Sequence, residues 1–287
     1  MATPEDRNAR LGTASIVVLT HDRLQALAVC LSTLEQRTTV PAEFWIVDNG
    51  STDGTGDYLG EWCARINAGG GRAETIRLET NEGVCARNVA LRRATGDFIL
   101  QVDDDVIVGP GWDRALLSAF SNPAVGAAGQ EGFFIDWAGL LAGPWVAPNF
   151  LSAHRPQPGE FCDLVMGYCW GWRNLQVPVG SIAMGAGERL ESVSAEKGET
   201  LPAFLYDERF NPFWHEETDL QLQIKAAGYR LRCTPPIATH RSMKDAAAAR
   251  NNDPIVGLHH AADHERLLIE KWGDRREDLR LELDRRG

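Results

Sequence analysis

From Ser15 to Val102 four short β-rich runs alternate with three longer amphipathic segments. This pattern belongs to βαβ units built around a parallel sheet, and it constrains the fold more than any other feature of the chain. The predicted strands are SIVVLT (Ser15–Thr20), EFWIVD (Glu43–Asp48), AETIRLE (Ala73–Glu79) and DFILQV (Asp97–Val102). Leu24, Leu27, Ala28, Leu31 and Leu34 recur at helical spacing, which predicts a helix over 23–36. Ser51 or Thr52 is expected to cap a second helix running toward Ile66, and a third is expected over 84–94.

Beyond residue 110 the regularity weakens and the chain becomes rich in Trp, Gly and Pro. Here a strand-like segment FCDLVMGYCWGWR (Phe161–Arg173), a helix over 217–227 ended by Gly228, a strand YRLRC and a final amphipathic helix over 257–272 are expected. The uncharged stretch Trp137–Ala153 is interrupted by Gly and Pro and falls short of the ~20 apolar residues that a membrane-spanning helix needs, so no transmembrane segment is expected.

With 287 residues, of which 44% are hydrophobic and 24% charged, the chain can bury a sizeable core without cross-links. A net charge of -11 argues against nucleic acid as the main partner, because such binding rests on clustered Lys and Arg. The six cysteines are scattered without a C-x-x-C pair, which reads as reduced thiols. The polar, mixed-charge start lacks the apolar stretch of a secretory signal. The expected location is therefore cytoplasmic, with peripheral association at the inner membrane face left open.

Open α/β sheets bind ligands beyond the carboxyl ends of their strands, which draws attention to Thr20-His21-Asp22, Asp48-Asn49 and Asp103-Asp104-Asp105. Three adjacent carboxylates repel one another unless a cation intervenes, and Mg²⁺ or Mn²⁺ would relieve that repulsion while also holding substrate phosphates. A solvated acidic loop is the competing reading. The first strand is not followed by G-x-G-x-x-G, and no Walker loop occurs, so hydride transfer and P-loop chemistry are disfavoured. GAGERL (Gly185–Leu190) reads as a flexible turn. A second acidic cluster, WHEETDL (Trp214–Leu220), opens a helix. The macrodipole explains acidic residues there, but the aromatic NPFWHEE in front of them also suits a sugar-stacking surface beside a general base.

Four segments in order carry a family resemblance: SIVVLTHDR, IVDNGSTDGT, NEGVCARNVALRRATGDFILQVDDD and DERFNPFWHEETDLQLQIKAAGYRL. Together they resemble the family 2 glycosyltransferases, over most of the chain from about Ala14 to His240. The resemblance implies an α/β GT-A fold, that is, a Rossmann-like nucleotide-binding sheet with a fused acceptor-binding half. It divides the chain into a tail (1–13), a half binding the nucleotide diphosphate sugar (14–110), an acceptor-binding and catalytic half (111–245) and a C-terminal helical segment (246–287). The implied reaction is metal-assisted, inverting single displacement of a sugar from a UDP, dTDP or GDP donor onto a carbohydrate or other hydroxyl-bearing acceptor.

Carried onto this sequence, the resemblance puts Thr20, Asp22, Asp48, Asn49, Arg87, Asp103 and Asp104 near the nucleotide. Asp105 becomes the main ligand of Mn²⁺ or Mg²⁺, with Asp103 and His240 beside it. Glu217 stands where the family usually has an aspartate base, Asp219 competes with it, and Glu216 orients the acceptor. Gly167 permits close approach over the sugar pocket, and Trp214, Trp170 and Trp172 are stacking candidates. A sugar nucleotidyltransferase, or a non-catalytic nucleotide- or carbohydrate-binding protein of the same fold, remains as an alternative.

Overall fold

The computed structural model describes residues 11–135, 154–178, 200–241, 254–275 and 279. The segments Trp137–Ala153 and GAGERL lie outside them. Strands β1 (Ala14–Thr20), β2 (Ala42–Asp48), β3 (Arg72–Arg77) and β4 (Phe98–Val102) are parallel, in the order β3-β2-β1-β4. Helices α1 (Leu24–Arg37) and α2 (Thr55–Ala68) follow β1 and β2. A 3₁₀ turn (Val84–Arg87) and the one-turn helix α3 (Asn88–Leu91) precede β4. Strand β5 (Val106–Val108) and helix α4 (Trp112–Ala119) come next.

The second half does not form a sheet of its own around these elements. Its strands β6 (Val125–Gly129), β7 (Phe161–Cys162), β8 (Cys169–Arg173) and β11 (Arg230–Cys233) extend the first sheet to eight strands, in the order β3-β2-β1-β4-β8-β6-β11-β7. Only β8 and β7 run against the other six. Two small ribbons complete the strands: β9 (Gln176–Pro178) pairs with β10 (Thr200–Pro202), and β12 (Ala238–His240) pairs with β5. Helices α5 (Glu216–Ala226) and α6 (Pro254–Trp272) belong to the C-terminal part.

The near-continuous apolar runs of β1 and β2 arise because the sheet is covered on both faces. Side chains alternate across a strand, so Ile16 and Val18 join the core with Leu27, Leu31 and Leu34 of α1, whereas Val17 joins Trp45, Val47, Leu91, Trp170 and Trp172 on the other face. Burying each of those leucines is worth about 1.5–3 kcal/mol. A third cluster (Phe210, Leu222, Leu268, Trp272, Leu279) fastens α6 to α5.

Three local expectations are corrected. Neither Ser51 nor Thr52 caps α2; Asp53 accepts from Thr55 N at 3.2 Å and also from Leu24 N at 2.9 Å, so one carboxylate serves the starts of both α1 and α2. The expected helix over 84–94 shortens because Asn211 Oδ1 takes Cys85 N and Asn88 spends its side chain on the Tyr206 backbone. The strand-like run over 161–173 breaks in two, since β7 lies at the sheet edge and β8 near its centre, and the intervening chain must leave the sheet to cross between them. All six cysteines are unpaired. Among the described residues no helix is long and apolar enough to cross a membrane.

Candidate active site

The carboxyl ends of β1 and β4 meet, and the acidic run follows directly from β4. Asp103, Asp105 and His240 each present a ligand atom within 4.8 Å of the others. His240 reaches this place because β12 pairs with β5, setting it opposite Val106, and its Nε2 lies 3.1 Å from Asp105 Oδ1. The Tyr168 ring stacks on the imidazole at 5.0 Å and 12°. Gln130, at the end of β6, fixes the approach of β12: its Oε1 accepts from Ile237 N at 2.7 Å and Ala238 N at 2.8 Å.

Asp104 turns the other way. It accepts from Thr20 Oγ1 at 2.8 Å, and Arg23 forks across both neighbours, reaching Asp104 Oδ1 at 2.7 Å and Asp105 Oδ2 at 2.6 Å. Burial and the flanking carboxylates push Asp104 up to about 7 despite Arg23 and Thr20. Asp105 moves the opposite way, because its close contacts with His240 and Arg23 outweigh its burial. Its partner His240 is raised, chiefly by that contact with Asp105. Asp105 Oδ1 is buried and has no well-formed hydrogen bond, so two carboxylates and one imidazole nitrogen converge there with an oxygen left over. That donor set fits a divalent cation.

A second acidic group lies within electrostatic reach of a buried cation. Arg87 Nη2 binds Asp103 Oδ1 at 2.7 Å, and the charges of Glu216 and Glu217 also favour its cationic form. Both glutamates open α5, where the helix N-terminus favours them. Glu216 is buried and pushed up to about 7, mainly by that burial. Glu217 is half-buried; burial, then the charges of Glu216 and Asp103, push it up to about 8 against the pull of Arg87 and Gln101. Gln101 Nε2 donates to Glu217 Oε1 at 2.7 Å. The carboxylate also lies over Gly167, where any Cβ would meet it.

The remaining candidates divide. Asp48 is buried, takes Ser51 N on Oδ1, and keeps Oδ2 without a hydrogen bond, with Arg77 Nε at 3.8 Å. Trp214 is 43% exposed, in a left-handed conformation just before the glutamates. Other residues are spent on protein partners. Asn49 uses its amide on Asn81, Glu82 and Gly83, and Asp22 ties the loops after β1 and β2 through Thr52 N and, by its own backbone N–H, Ser51 Oγ. Asp219 is wholly buried, accepting from Trp272 Nε1 at 2.7 Å, Lys271 Nζ at 2.8 Å and Gln223 Nε2 at 2.8 Å. It anchors α6 and is closed to substrate. Trp170 is 0% and Trp172 2% exposed; both lie in the core, so neither has a face for a sugar.

Arg23, Gln101, Tyr168 and Tyr206 were missed in the sequence. Arg23 lies within THDR beside residues that drew attention, and Gln101 is a lone polar residue in an apolar strand, a signal open to reading. Nothing local in the sequence marks the two tyrosines.

Residues 15–144 match the model for glycosyl transferase family 2. This stretch is similar to a family 2 glycosyltransferase domain. The chain is 31% identical over 112 residues to a validoxylamine A glucosyltransferase of Streptomyces hygroscopicus subsp. limoneus, a match covering 38% of this chain and 24% of that relative. The chain thus spans about a quarter of that protein. Among solved structures it resembles GalNAc-T7 with UDP, GalNAc and Mn²⁺ (TM-score 0.58, 16% identity, 83% of this chain and 44% of that one). It also resembles the mannosyltransferase PcManGT of Pyrobaculum calidifontis with GDP-Man and Mn²⁺ (TM-score 0.53, 14% identity, 93% and 81%). The fold shared with these two glycosyltransferases is GT-A.

Proposed function

We propose that this chain transfers a sugar from a nucleoside diphosphate donor to an acceptor hydroxyl by a single inverting displacement, with Glu217 as general base. The observation that carries this reading is that buried Arg87 pairs with Asp103 of the Asp103–Asp105–His240 group and also feels the charges of Glu216 and Glu217, while Gln101, two residues before Asp103, donates to Glu217. A phosphate-side group and a proton acceptor thereby share one rim of the sheet.

A divalent cation held by Asp103, Asp105 and His240 would stabilise charge on the departing diphosphate. Mn²⁺ is the preferred ion, because a nitrogen donor suits it better than Mg²⁺, and both resembling structures were solved with Mn²⁺. Asp48 Oδ2, buried and lacking a hydrogen bond, would accept an N–H from the nucleotide base. UDP and GDP are the first nucleotides to try, as UDP and GDP-Man are named for those two structures.

Glu217, pushed up to about 8, is poised to take a proton near neutral pH. As the acceptor oxygen attacks the anomeric carbon, its O–H proton passes to the Glu217 carboxylate, and the sugar–phosphate bond breaks with its electron pair leaving on the nucleoside diphosphate. Trp214, exposed two residues ahead of Glu216, would offer a face for the acceptor.

Calorimetric titration with UDP, GDP and dTDP, each with and without Mn²⁺, tests the donor side, and turnover with the sugar donors of whichever base binds tests the reaction. Manganese-dependent binding of one nucleotide is expected. Indifference to all three, with or without metal, would remove the basis for the reading.

A further inference from the structure

Gln101 occupies a position where an amide is costly. It is 1% exposed within β4, whose five residues are all buried. A buried amide is tolerated when its groups are paired, and those of Gln101 are. Nε2 donates to Glu217 Oε1 at 2.7 Å and to the Gly167 carbonyl at 3.0 Å, while Oε1 accepts from the Tyr206 hydroxyl. The orientation of the amide follows from its neighbours. The Gly167 carbonyl only accepts, so the opposite orientation would set oxygen against oxygen there and would turn the amide oxygen toward the Glu217 carboxylate once it ionises. Tyr206 is itself fixed, because Asn88 donates to its carbonyl at 2.8 Å and accepts from its N–H at 2.9 Å.

We propose that Gln101 is the positioning residue of the Glu217 base: locked by Tyr206 and the Gly167 carbonyl, its amide holds Glu217 Oε1 and leaves Oε2 to take the acceptor proton. This rests on the reading of Glu217 as base. The bare Cα of Gly167 supplies the space in which Oε2 lies. The charged and titratable groups facing Glu217 are Glu216 on its own helix, Asp103 after β4, Arg87 before α3 and the buried Tyr206. Gln101 is the neutral donor among them. It favours the ionised carboxylate without the full attraction of a second cation, which keeps the base able to hold a proton.

The test is a carbon-13 NMR titration of the full chain labelled at glutamate carboxyl carbons, with the Glu217 signal assigned by its loss in Glu217→Gln. Gln101→Met keeps the volume and removes the donor; the Glu217 titration is expected to move upward by about one unit, and turnover to fall about tenfold at unchanged donor KM. Tyr206→Phe removes one oxygen and frees the amide, so a smaller shift in the same direction is expected; if Gln101→Met fails to fold, this variant decides alone. An unmoved Glu217 titration in the folded variants overturns the proposal, even if Glu217→Gln is inactive and the base assignment stands. Full activity in Glu217→Gln instead removes the base reading itself.

Discussion

The Glu217 carboxylate fills the place that a side chain at Gly167 would take: a Cβ built there would lie 1.4 Å from Glu217 Oε2. Glu217 and the loop ahead of β8 are therefore fitted to each other, and this is a steric requirement rather than one of backbone conformation. Gly167→Ala should displace the carboxylate, lowering turnover while Mn²⁺-dependent nucleotide binding, measured by calorimetry, stays at the wild-type level. Equal loss of binding and turnover would show that the loop serves the donor side as well.

Asp105 and His240 should be separable from the base by metal binding alone. Asp105→Ala removes the carboxylate shared by Arg23 and His240 and is expected to abolish Mn²⁺ binding. His240→Ala leaves both carboxylates and should weaken Mn²⁺ by at least about tenfold. Titration of each variant with Mn²⁺ in the absence of nucleotide is the direct check; an unchanged affinity in His240→Ala would leave the imidazole as a mere neighbour of Asp105.

The two acidic residues that compete for the role of base in the sequence should fail in different ways. Glu217→Gln is expected to remain folded and bind donor, with turnover lowered by the ~10²–10⁴-fold associated with a general base. Asp219→Asn breaks a buried contact with Lys271 and should cost about 3–5 kcal/mol of stability. Chemical denaturation alongside turnover distinguishes them. A stable but inactive Asp219→Asn protein would move the base to that position.

The strands that begin the chain were legible because burial on both faces forces an apolar run, and because their ends coincide with polar residues. Leu27, Leu31 and Leu34 gave α1 by spacing alone. The sequence was silent where a residue's role depends on a distant segment. Asp219 and Glu217 stand two residues apart on one helix, yet α6 covers the first and leaves the second at the site, a difference set by Trp272 and Lys271 more than fifty positions later. Trp170 and Trp172 misled for the same reason. Stacking candidates in an aromatic-rich segment, they fall on a central strand, and the core takes both rings. His240 came from the family pattern, whereas its ring is held by Tyr168 and its strand by Gln130, neither of which the pattern marks.

Raised carboxyl pKa values carry a consequence for stability as well as for turnover. Glu217 moves from 4.5 to about 8, with burial as the leading cause, so the folded protein holds a proton that the unfolded chain releases earlier. The associated stabilisation is complete below pH 4.5 and is lost as pH rises toward and through about 8. Glu217→Gln cannot ionise and escapes that loss. In metal-free solution the melting temperature of Glu217→Gln should therefore rise relative to wild type between pH 5 and pH 8.5, while wild-type turnover increases over the same interval as the base becomes available. Thermal melts of both proteins at the two pH values provide the test. A difference in melting temperature that does not change with pH would return Glu217 to the ordinary carboxyl range, and the rise in turnover would then belong to another group.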